Sequence, residues 1–341
     1  MISNYNKETV PIVGITMGDY NGIGPEVLIK ALAHDQKLYK ATFVIFGSSF
    51  VLNSVNQYLN RPISLITINS LSEIDKHSHN IFILDIFNNC EININYGTIS
   101  QEAGNAAVRC LHHGIKFADK NSIQALVTAP VCKQALILAG FNYPGQTEML
   151  AQLTNTTLFA MMFIADNFRV GLVTTHCAIS EVSAKINKQN IFQKIKVLNH
   201  SLQNDFKIKK PKVAVTGLNP HGGEGGIFGD EEQRCILPAI IEAKNAGVDV
   251  SGPFSAETLF AKIKTSAYDA FLAMYHDQGL IPVKMRAFGK SVNFTAGLPI
   301  IRTSPDHGTA FDIAGKWIAD ESSMREAIKI GYQLAKKRTA S

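Results

Sequence analysis

The sequence predicts an α/β fold that divides into two lobes around a mostly parallel sheet. Strand-like runs alternate with helical patterns through the first 130 residues, which is typical of βαβ units. The length of 341 residues is sufficient for two cores. The composition, with 46% hydrophobic and 18% charged residues, is ordinary for a soluble protein of enzyme size.

The alternation is clearest near the start of the chain, where helical patterns at 25–33 and 102–118 lie between runs rich in β-branched residues. The strands predicted there are Ile12–Met17, Thr42–Phe46, Ile63–Ile68, Ile81–Ile86 and Ile123–Thr128.

The middle of the chain departs from this alternation. Leu158–Ala165 and Phe168–Thr174 are separated by two residues and predict a β-hairpin. Such a hairpin marks either a second lobe or a dimer contact, and both interpretations stay open. Further strands are predicted at 213–217 and 270–274, and further helices at 189–202, 231–246 and 324–336. Ser323 and Glu326 match a capping box for the last helix.

We predict one lobe from residues 1–130 plus 304–341 and a second lobe from residues 131–303.

Charge and cysteine usage narrow the class of protein. The net charge of +5 comes without a long Lys/Arg run, so we expect no nucleic-acid partner. Five cysteines without a C-x-x-C pair predict a reducing compartment. The first sixteen residues lack a signal-peptide pattern, and the longest strongly apolar stretch, 158–165, is far shorter than the roughly 18 residues of a membrane helix. We therefore predict a cytoplasmic protein with no membrane partner.

Three histidines stand where predicted strands end. His176, His221 and His276 each follow a β-forming run, and in open α/β sheets ligands bind beyond the carboxyl ends of strands. Imidazole is the commonest metal ligand, and three ligands with an open position describe a catalytic divalent-metal site. The alternative is that these are hydrogen-bonded loop residues, since no local motif such as H-E-x-x-H is present.

Two glycine-containing segments follow predicted strands. Residues 222–229 contain five glycines in eight positions, which favours close approach of the backbone to a nucleotide or phosphate, with a mobile surface lid as the alternative. Residues 17–26 lead from a strand into a helix, so the segment is either an anion site at the helix N-terminus or only a tight turn.

Polar residues near the third histidine suggest further ligand contacts. Asp277 is either an additional metal ligand or a carboxylate that orients His276. The basic side chains that follow it can neutralise a phosphate, although a solvated positive face is the alternative. They are Lys284, Arg286, Lys290 and Arg302, and Asn293 lies among them. Thr147, in Gly145-Gln146-Thr147-Glu148, can cap a helix or contact a ligand.

Taken together, these segments resemble the 4-hydroxythreonine-4-phosphate dehydrogenase family of pyridoxal phosphate biosynthesis over nearly the full length. The matching blocks are Gly18-Asp19 with Gly22-Ile23-Gly24-Pro25-Glu26, Thr128-Ala129-Pro130, Thr174-Thr175-His176, Asn219-Pro220-His221 with the glycines after it, Tyr275-His276-Asp277-Gln278-Gly279-Leu280, Asn293 to Pro299, and Ile301-Arg302-Thr303-Ser304 with Asp306-His307-Gly308-Thr309.

The resemblance implies a two-lobed, three-layer α/β/α fold of the isocitrate/isopropylmalate dehydrogenase type. It implies a homodimer with a shared active site, in which the three histidines bind a divalent metal (Zn, Mg or Co) and one of them comes from the second subunit. NAD is expected along the Gly-rich segment, at Gly223, Gly225 and Gly226. The small phosphorylated substrate is expected to contact Gln146, Thr147, Lys284, Asn293 and Arg302.

One departure from the family pattern concerns the substrate contacts. The family has Pro-Gly-His-Thr-Glu where this chain has Pro144-Gly145-Gln146-Thr147-Glu148. Glutamine donates and accepts hydrogen bonds but carries neither a proton nor a charge as imidazole does. If the histidine only positions substrate, Gln146 substitutes for it at modest cost. If the histidine transfers protons, this chain is slow or prefers another substrate. Tyr20-Asn21 also replaces the usual Pro-Ala, which is a milder change.

The resulting hypothesis is metal-assisted, NAD-dependent oxidation of 4-phosphohydroxy-L-threonine, with decarboxylation of the 3-keto product. Asp277 and a metal-bound water are the candidate general bases. Two alternative functions are also compatible with the sequence. One is oxidation of a related substrate such as phospho-threonate or phospho-erythronate. The other is a phosphometabolite-binding protein without turnover.

Overall fold

Buried runs of β-branched and aromatic residues form the strands, and most of the helices connect them. The computed structural model describes residues 10–35, 39–59, 62–75, 79–143 and 145–339. The strands in this part of the chain are Ile12–Thr16 (β1), Thr42–Gly47 (β2), Leu65–Ile68 (β3), Ile81–Asp85 (β4), Ala125–Thr128 (β5), Ala160–Ala165 (β6), Phe168–Leu172 (β7), Lys212–Thr216 (β8), Asp249–Phe254 (β9), Ala270–Ala273 (β10), Val292–Ala296 (β11) and Arg302–Pro305 (β12).

The helices range from one and a half to about five turns. They are Gly24–Asp35 (α1), Ser49–Tyr58 (α2), Gln101–Asp119 (α3), Lys133–Leu138 (α4), Gln146–Leu153 (α5), Ile179–Lys185 (α6), Lys188–Asn204 (α7), Leu237–Asn245 (α8), Ala256–Ala261 (α9), His276–Ala287 (α10) and Ser322–Thr339 (α11). A π-helical turn at Glu232–Ile236 precedes α8, so the predicted helix at 231–246 has two parts. None of the helices in the described ranges is long and apolar enough to cross a bilayer.

The chain forms two units. Unit 1 contains Met1–Asn155 with Pro299–Ser341, and unit 2 contains Thr156–Leu298. In unit 1 the strand order is β3-β4-β2-β1-β5-β12, with parallel pairs throughout. In unit 2 the order is β11-β6-β7-β10-β8-β9, with antiparallel pairs at β11-β6 and β6-β7 and parallel pairs beyond. The predicted β-hairpin is therefore confirmed as β6 and β7.

The unit 1 sheet lies between two helical layers. A Cβ placed on Gly114 of α3 would lie 2.6 Å from Leu126 Cδ1, and one on Gly331 of α11 would lie 3.1 Å from Val127 Cγ2. Leu126 and Val127 are neighbours in β5, so their side chains point to opposite faces of the sheet. The two helices therefore cover opposite faces, which confirms the predicted α/β/α layering in this unit.

Unit 2 has the same layering around β7. A Cβ on Gly171 would lie 2.6 Å from Leu198 Cδ1 in α7. The neighbouring Leu172 points the other way, and its Cδ2 lies 2.7 Å from the position of a Cβ on Gly279 in α10. α7 and α10 therefore cover opposite faces, and α10, which begins at His276, packs on β7 and β10, the strands that precede His176 and His276.

The boundary between the units differs from the prediction. Residues 131–155, predicted in the second lobe, belong to unit 1, as do residues 299–303. The reason is packing: α4 and α5 bury Leu136 and Met149 against Val108 and Leu111 of α3. At the other end of the segment, Arg302 and Thr303 of β12 pair with β5.

The predicted capping box at the last helix is wrong. α11 begins at Ser322, so Ser323 lies inside the helix and cannot be its N-cap. The Ser323 hydroxyl instead donates to Asp306 Oδ1 (3.1 Å) and accepts from the Asp306 amide (3.1 Å). The Ser323 hydroxyl therefore pairs with a residue distant in the sequence and not with the helix N-terminus that the local pattern predicted.

Candidate active site

The three predicted histidine positions lie at one edge of the unit 2 sheet. β7, β10 and β8 are neighbours and run parallel, so their carboxyl ends meet at the same edge. His176, His221 and His276 follow these strands within five residues. The sheet order therefore places the three strand ends side by side, and ligands of α/β sheets bind beyond such ends.

Two of the histidines are close together. The ring centroids of His176 and His276 are 5.7 Å apart, with an interplanar angle of 44°. Two imidazoles that bind one cation at about 2.1 Å place their centroids about 5 to 6 Å apart. His276 Nδ1 lies 2.7 Å from Asp277 Oδ1. Since a carboxylate only accepts, Nδ1 is the donor and Nε2 is left free as a ligand atom.

The third histidine is separate from this pair. The side chain of His221 is 65% exposed, and its Nδ1 lies 3.6 Å from Glu257 Oε1. In the described ranges no three His, Cys, Asp or Glu side chains come together closely enough to hold a metal ion. A single chain thus brings together two of the three predicted metal ligands, and His221 is exposed on the turn that follows β8.

That turn has an unusual backbone. Every residue from His221 to Gly226 has a positive φ, between 45° and 105°. Left-handed conformations cost an L-residue about 1 to 2 kcal/mol, and glycine occupies them freely. His221 and Glu224 are the two non-glycine residues in the run. Four glycines therefore make the left-handed turn possible, and its neighbours must stabilise the other two positions.

Two residues for which the sequence predicted no role fix the geometry at this edge. Gln278 Oε1 accepts from the Met274 amide (2.7 Å) and the Thr216 hydroxyl (2.8 Å), and its Nε2 donates to Gly217 O (2.8 Å). It thus joins the end of β8 to the end of β10. Glu232, which is buried, binds the segment after β8. The signal in the sequence that could have identified Glu232 is its position directly after the Gly-rich segment.

A second cluster of predicted site residues lies in unit 1 around Arg302. This guanidinium is 2% exposed and donates from Nε and Nη2 to Thr128 Oγ1 (3.1 and 2.8 Å) and from Nη2 to Gln146 Oε1 (2.7 Å). Burial lowers the pKa of Arg302 to about 10, and the carboxylate of Glu148 opposes that shift. At neutral pH the cluster therefore carries one buried positive charge.

Gln146 is held by this cluster. Its Oε1 accepts from Thr128 Oγ1 (2.8 Å) as well as from Arg302, and its Nε2 donates to Ala129 O (3.0 Å). The side chain therefore positions the guanidinium and keeps one N–H for a further acceptor. α5 begins at Gln146 with Gly145 at its N-cap, so Thr147 does not cap the helix and is buried within its first turn. Pro144 lies outside the described residues.

The other predicted substrate residues belong to unit 2. Lys284 is half-buried on α10 and Asn293 is half-buried on β11. Asn293 Oδ1 is buried and has no hydrogen-bond partner within the described ranges. An unpaired buried carbonyl oxygen is costly, so a ligand that donates a hydrogen bond there would be stabilised.

The first glycine segment is a tight buried turn. A Cβ on Gly18 would lie 2.5 Å from Pro130 O, and Asp19 donates its amide to the same oxygen (3.0 Å). The Asp19 carboxylate is fully buried. Burial raises the pKa of Asp19 to about 6, against hydrogen bonds from the amides of Asn21, Gly22 and Cys132. This packing supports the tight-turn interpretation of residues 17–26.

The raised pKa of Asp19 makes stability depend on pH. Its contribution is fully present below about pH 4, where the unfolded carboxyl is also protonated, and is lost as the pH rises through about 6. We expect the free energy of unfolding of Asp19→Asn, relative to wild type, to increase by up to about 3 kcal/mol between pH 4 and pH 7. Urea unfolding of both proteins without metal measures this. A difference that does not change with pH would contradict it.

Comparisons with known proteins identify the family of this chain. The family model described as "Pyridoxal phosphate biosynthetic protein PdxA" matches residues 39–331. The 4-hydroxythreonine-4-phosphate dehydrogenase of Sulfurihydrogenibium sp. is 38% identical over 96% of this chain and 99% of that protein. The D-threonate 4-phosphate dehydrogenase of Cupriavidus necator is 42% identical over 97% of this chain and 99% of that protein.

A solved structure extends the likeness to three dimensions. The crystal structure of 4-hydroxythreonine-4-phosphate dehydrogenase from Klebsiella pneumoniae superposes with a TM-score of 0.86 at 37% identity, over 95% of this chain and 99% of that one. The family that the sequence motifs indicated is therefore confirmed. With the family model matched over most of its length and relatives of 38–42% identity covered nearly end to end, this chain belongs to the PdxA family.

Proposed function

We propose that this protein catalyses the NAD-dependent, divalent-metal-dependent oxidation of 4-phosphohydroxy-L-threonine. The product is a 3-keto acid that loses carbon dioxide to give 3-amino-2-oxopropyl phosphate, in pyridoxine 5'-phosphate biosynthesis. The observation that carries the proposal is the pairing of His176 and His276 at 5.7 Å beyond parallel strands, in a chain of this family. A protein that only binds phosphorylated metabolites has no need for such a pair.

The donor set fits a divalent metal. His176 and His276 supply two neutral nitrogens, and Asp277 fixes the tautomer of His276. We propose that the third ligand is His221 of the partner subunit, in a homodimer with a shared active site, because His221 is exposed and forms no group of three ligands with the pair in the described ranges of one chain. A bound Zn, Mg or Co ion would act as a Lewis acid on the substrate hydroxyl.

The remaining site residues bind and orient the substrate. Arg302 presents a guanidinium already held by Thr128 and Gln146, which limits the freedom lost when it binds a phosphate or carboxylate. Lys284 adds a second cation. The unpaired Asn293 Oδ1 can accept a hydrogen bond from a substrate hydroxyl or ammonium. Thr147 borders the Arg302 cluster from the first turn of α5.

For the cofactor, we propose that NAD lies along Gly223, Gly225 and Gly226. A Cβ on Gly225 would meet no atom within 4 Å, and one on Gly226 would meet only a side-chain nitrogen at 3.9 Å, so space is open beside the backbone there. Left-handed glycines allow a phosphate to approach the main chain closely. Gly223 is buried and gives the turn its shape.

A second candidate function is oxidation of D-threonate 4-phosphate, in which a hydroxyl replaces the amino group. It is favoured by the 42% identity to the Cupriavidus necator enzyme of that name. Gln146 also agrees with it, because a neutral amide with one remaining N–H suits a hydroxyl acceptor better than an ammonium donor.

The proposal predicts NADH formation when the enzyme receives 4-phosphohydroxy-L-threonine, NAD and a divalent metal, and loss of that activity with a chelator. The measurement is NADH absorbance for this substrate and for D-threonate 4-phosphate. Faster turnover of the latter would select the second function. Metal binding without turnover of either substrate would overturn both candidate functions and favour a binding protein.

The variant Gln146→His tests the departure from the family pattern at this position. A gain in turnover rate above about tenfold would show that the imidazole transfers protons. An unchanged rate would show that Gln146 only positions Arg302.

A further inference from the structure

The turn that bears His221 is held by one buried carboxylate. Glu232 lies in the π-helical turn before α8 and is 4% exposed. Its Oε1 accepts hydrogen bonds from the amides of Leu218 (2.7 Å) and Asn219 (2.8 Å). Its Oε2 accepts from Asn219 Nδ2 (2.9 Å). Every one of these bonds ends on the segment that leads from β8 into the left-handed turn.

The turn also packs directly on this carboxylate. A Cβ on Gly217 would lie 2.9 Å from Glu232 Oε1, and one on Gly223 would lie 2.6 Å from Oε2. Gly217 and Gly223, on either side of His221, therefore leave room for this carboxylate. The backbone of residues 217–223 bends around Glu232 and turns His221 outward.

The neighbouring Glu231 provides a natural comparison. It also accepts a hydrogen bond from Asn219 Nδ2 (2.7 Å), but its other oxygen binds the hydroxyl of Ser183 on α6. Glu231 contacts no backbone amide of the turn in these hydrogen bonds and is half-buried. The two adjacent carboxylates thus share one partner and differ in whether they hold the main chain.

We propose that Glu232 is a positioning residue for His221: it sets the left-handed turn that directs this imidazole toward the metal. The inference rests on the proposed function, in which His221 is a metal ligand. Glu232 does not contact the metal or the substrate. It acts through the backbone, much as outer-shell groups orient metal-binding histidines in other sites.

Glu232→Gln is the informative variant because it keeps the shape of the side chain. Its NH2 group must face either the two amides or Asn219 Nδ2, so at least one donor loses its acceptor. We expect the dissociation constant for Zn²⁺ to rise about 10- to 100-fold, measured by competition with a chromophoric chelator. Hydrogen exchange of amides in residues 217–229 should become faster in the metal-free protein. Glu232→Asp, which withdraws the carboxylate, should act in the same direction.

The controls are Glu231→Gln, expected to bind Zn²⁺ like wild type, and His221→Ala, expected to bind weakly. Wild-type affinity and wild-type exchange in both Glu232 variants, together with weak binding by His221→Ala, would overturn the role of Glu232 alone. Equal affinity of wild type and His221→Ala would show that His221 is not a ligand, and the metal site of the proposed function would fail together with the inference. A loss of affinity in Glu231→Gln equal to that in Glu232→Gln would also overturn the inference, since any nearby charge would then suffice.

Discussion

Replacing Arg302 by methionine is expected to lower kcat/KM for the phosphorylated substrate by about 10³-fold and to leave the protein folded. Charge-assisted hydrogen bonds contribute about 1.5 to 3 kcal/mol each, so the loss of two to a phosphate corresponds to about 10³. The guanidinium is fully buried, so its removal also removes the desolvation cost of the charge, and Thr128 Oγ1 can still donate to Gln146 Oε1. We therefore expect activity and stability to separate in this variant.

Steady-state kinetics and thermal unfolding measure the two effects. Arg302→Lys keeps the charge but not the planar fork, so we expect a smaller loss of about 10²-fold, mostly in KM. An unchanged KM in Arg302→Met would show that the cluster with Thr128 and Gln146 is structural. A large decrease in melting temperature would instead indicate that the buried guanidinium supports unit 1.

The second large effect is expected for His276→Ala. This change removes one imidazole of the close pair and leaves His176 without its neighbour. We expect divalent-metal affinity to fall by at least about 10³-fold and NADH formation to fall to background, since the Lewis acid is lost with the ligand. Metal content after dialysis, followed by a titration, measures the first effect.

A matched control is His200→Ala in the same unit. His200 is exposed on α7, and its Nδ1 lies 3.1 Å from Asn204 Nδ2 on the same helix. This variant should bind metal and turn over substrate as wild type does. If His276→Ala retains wild-type metal affinity, the pair at 5.7 Å is not a metal site, and the mechanism proposed above is wrong at its first step.

Much of the fold could be predicted from local sequence patterns. The strands at 12–16, 42–47 and 81–85 were predicted within a residue or two, because continuous apolar runs are the mark of strands buried on both faces. The hairpin of β6 and β7 followed from two adjacent runs joined by two residues. α2 was not predicted, although it buries Val51, Leu52 and Val55 on one face. α10 was not predicted because Pro282 lies inside it and its apolar residues show little helical period.

The site was predictable in its residue types but not in its assembly. His176, His221 and His276 were selected because each follows a β-forming run, and the motifs identified the family. The sequence could not reveal that β7, β10 and β8 are neighbours, because strand order is set by packing between distant segments. Nor could it reveal that only two of the rings come together within one chain.

What the sequence by itself determined is the α/β class, the family and the kinds of side chain at the site, since these follow from local periodicity and the order of short motifs. Three features were decided only by the tertiary structure. The first unit continues to residue 155, and Ser323 forms a hydrogen bond with Asp306 instead of capping a helix. Glu232 accepts hydrogen bonds from the segment that leads into the His221 turn. Each of these depends on which distant groups compete for one hydrogen bond or one apolar surface, and that competition is settled only when the chain is packed.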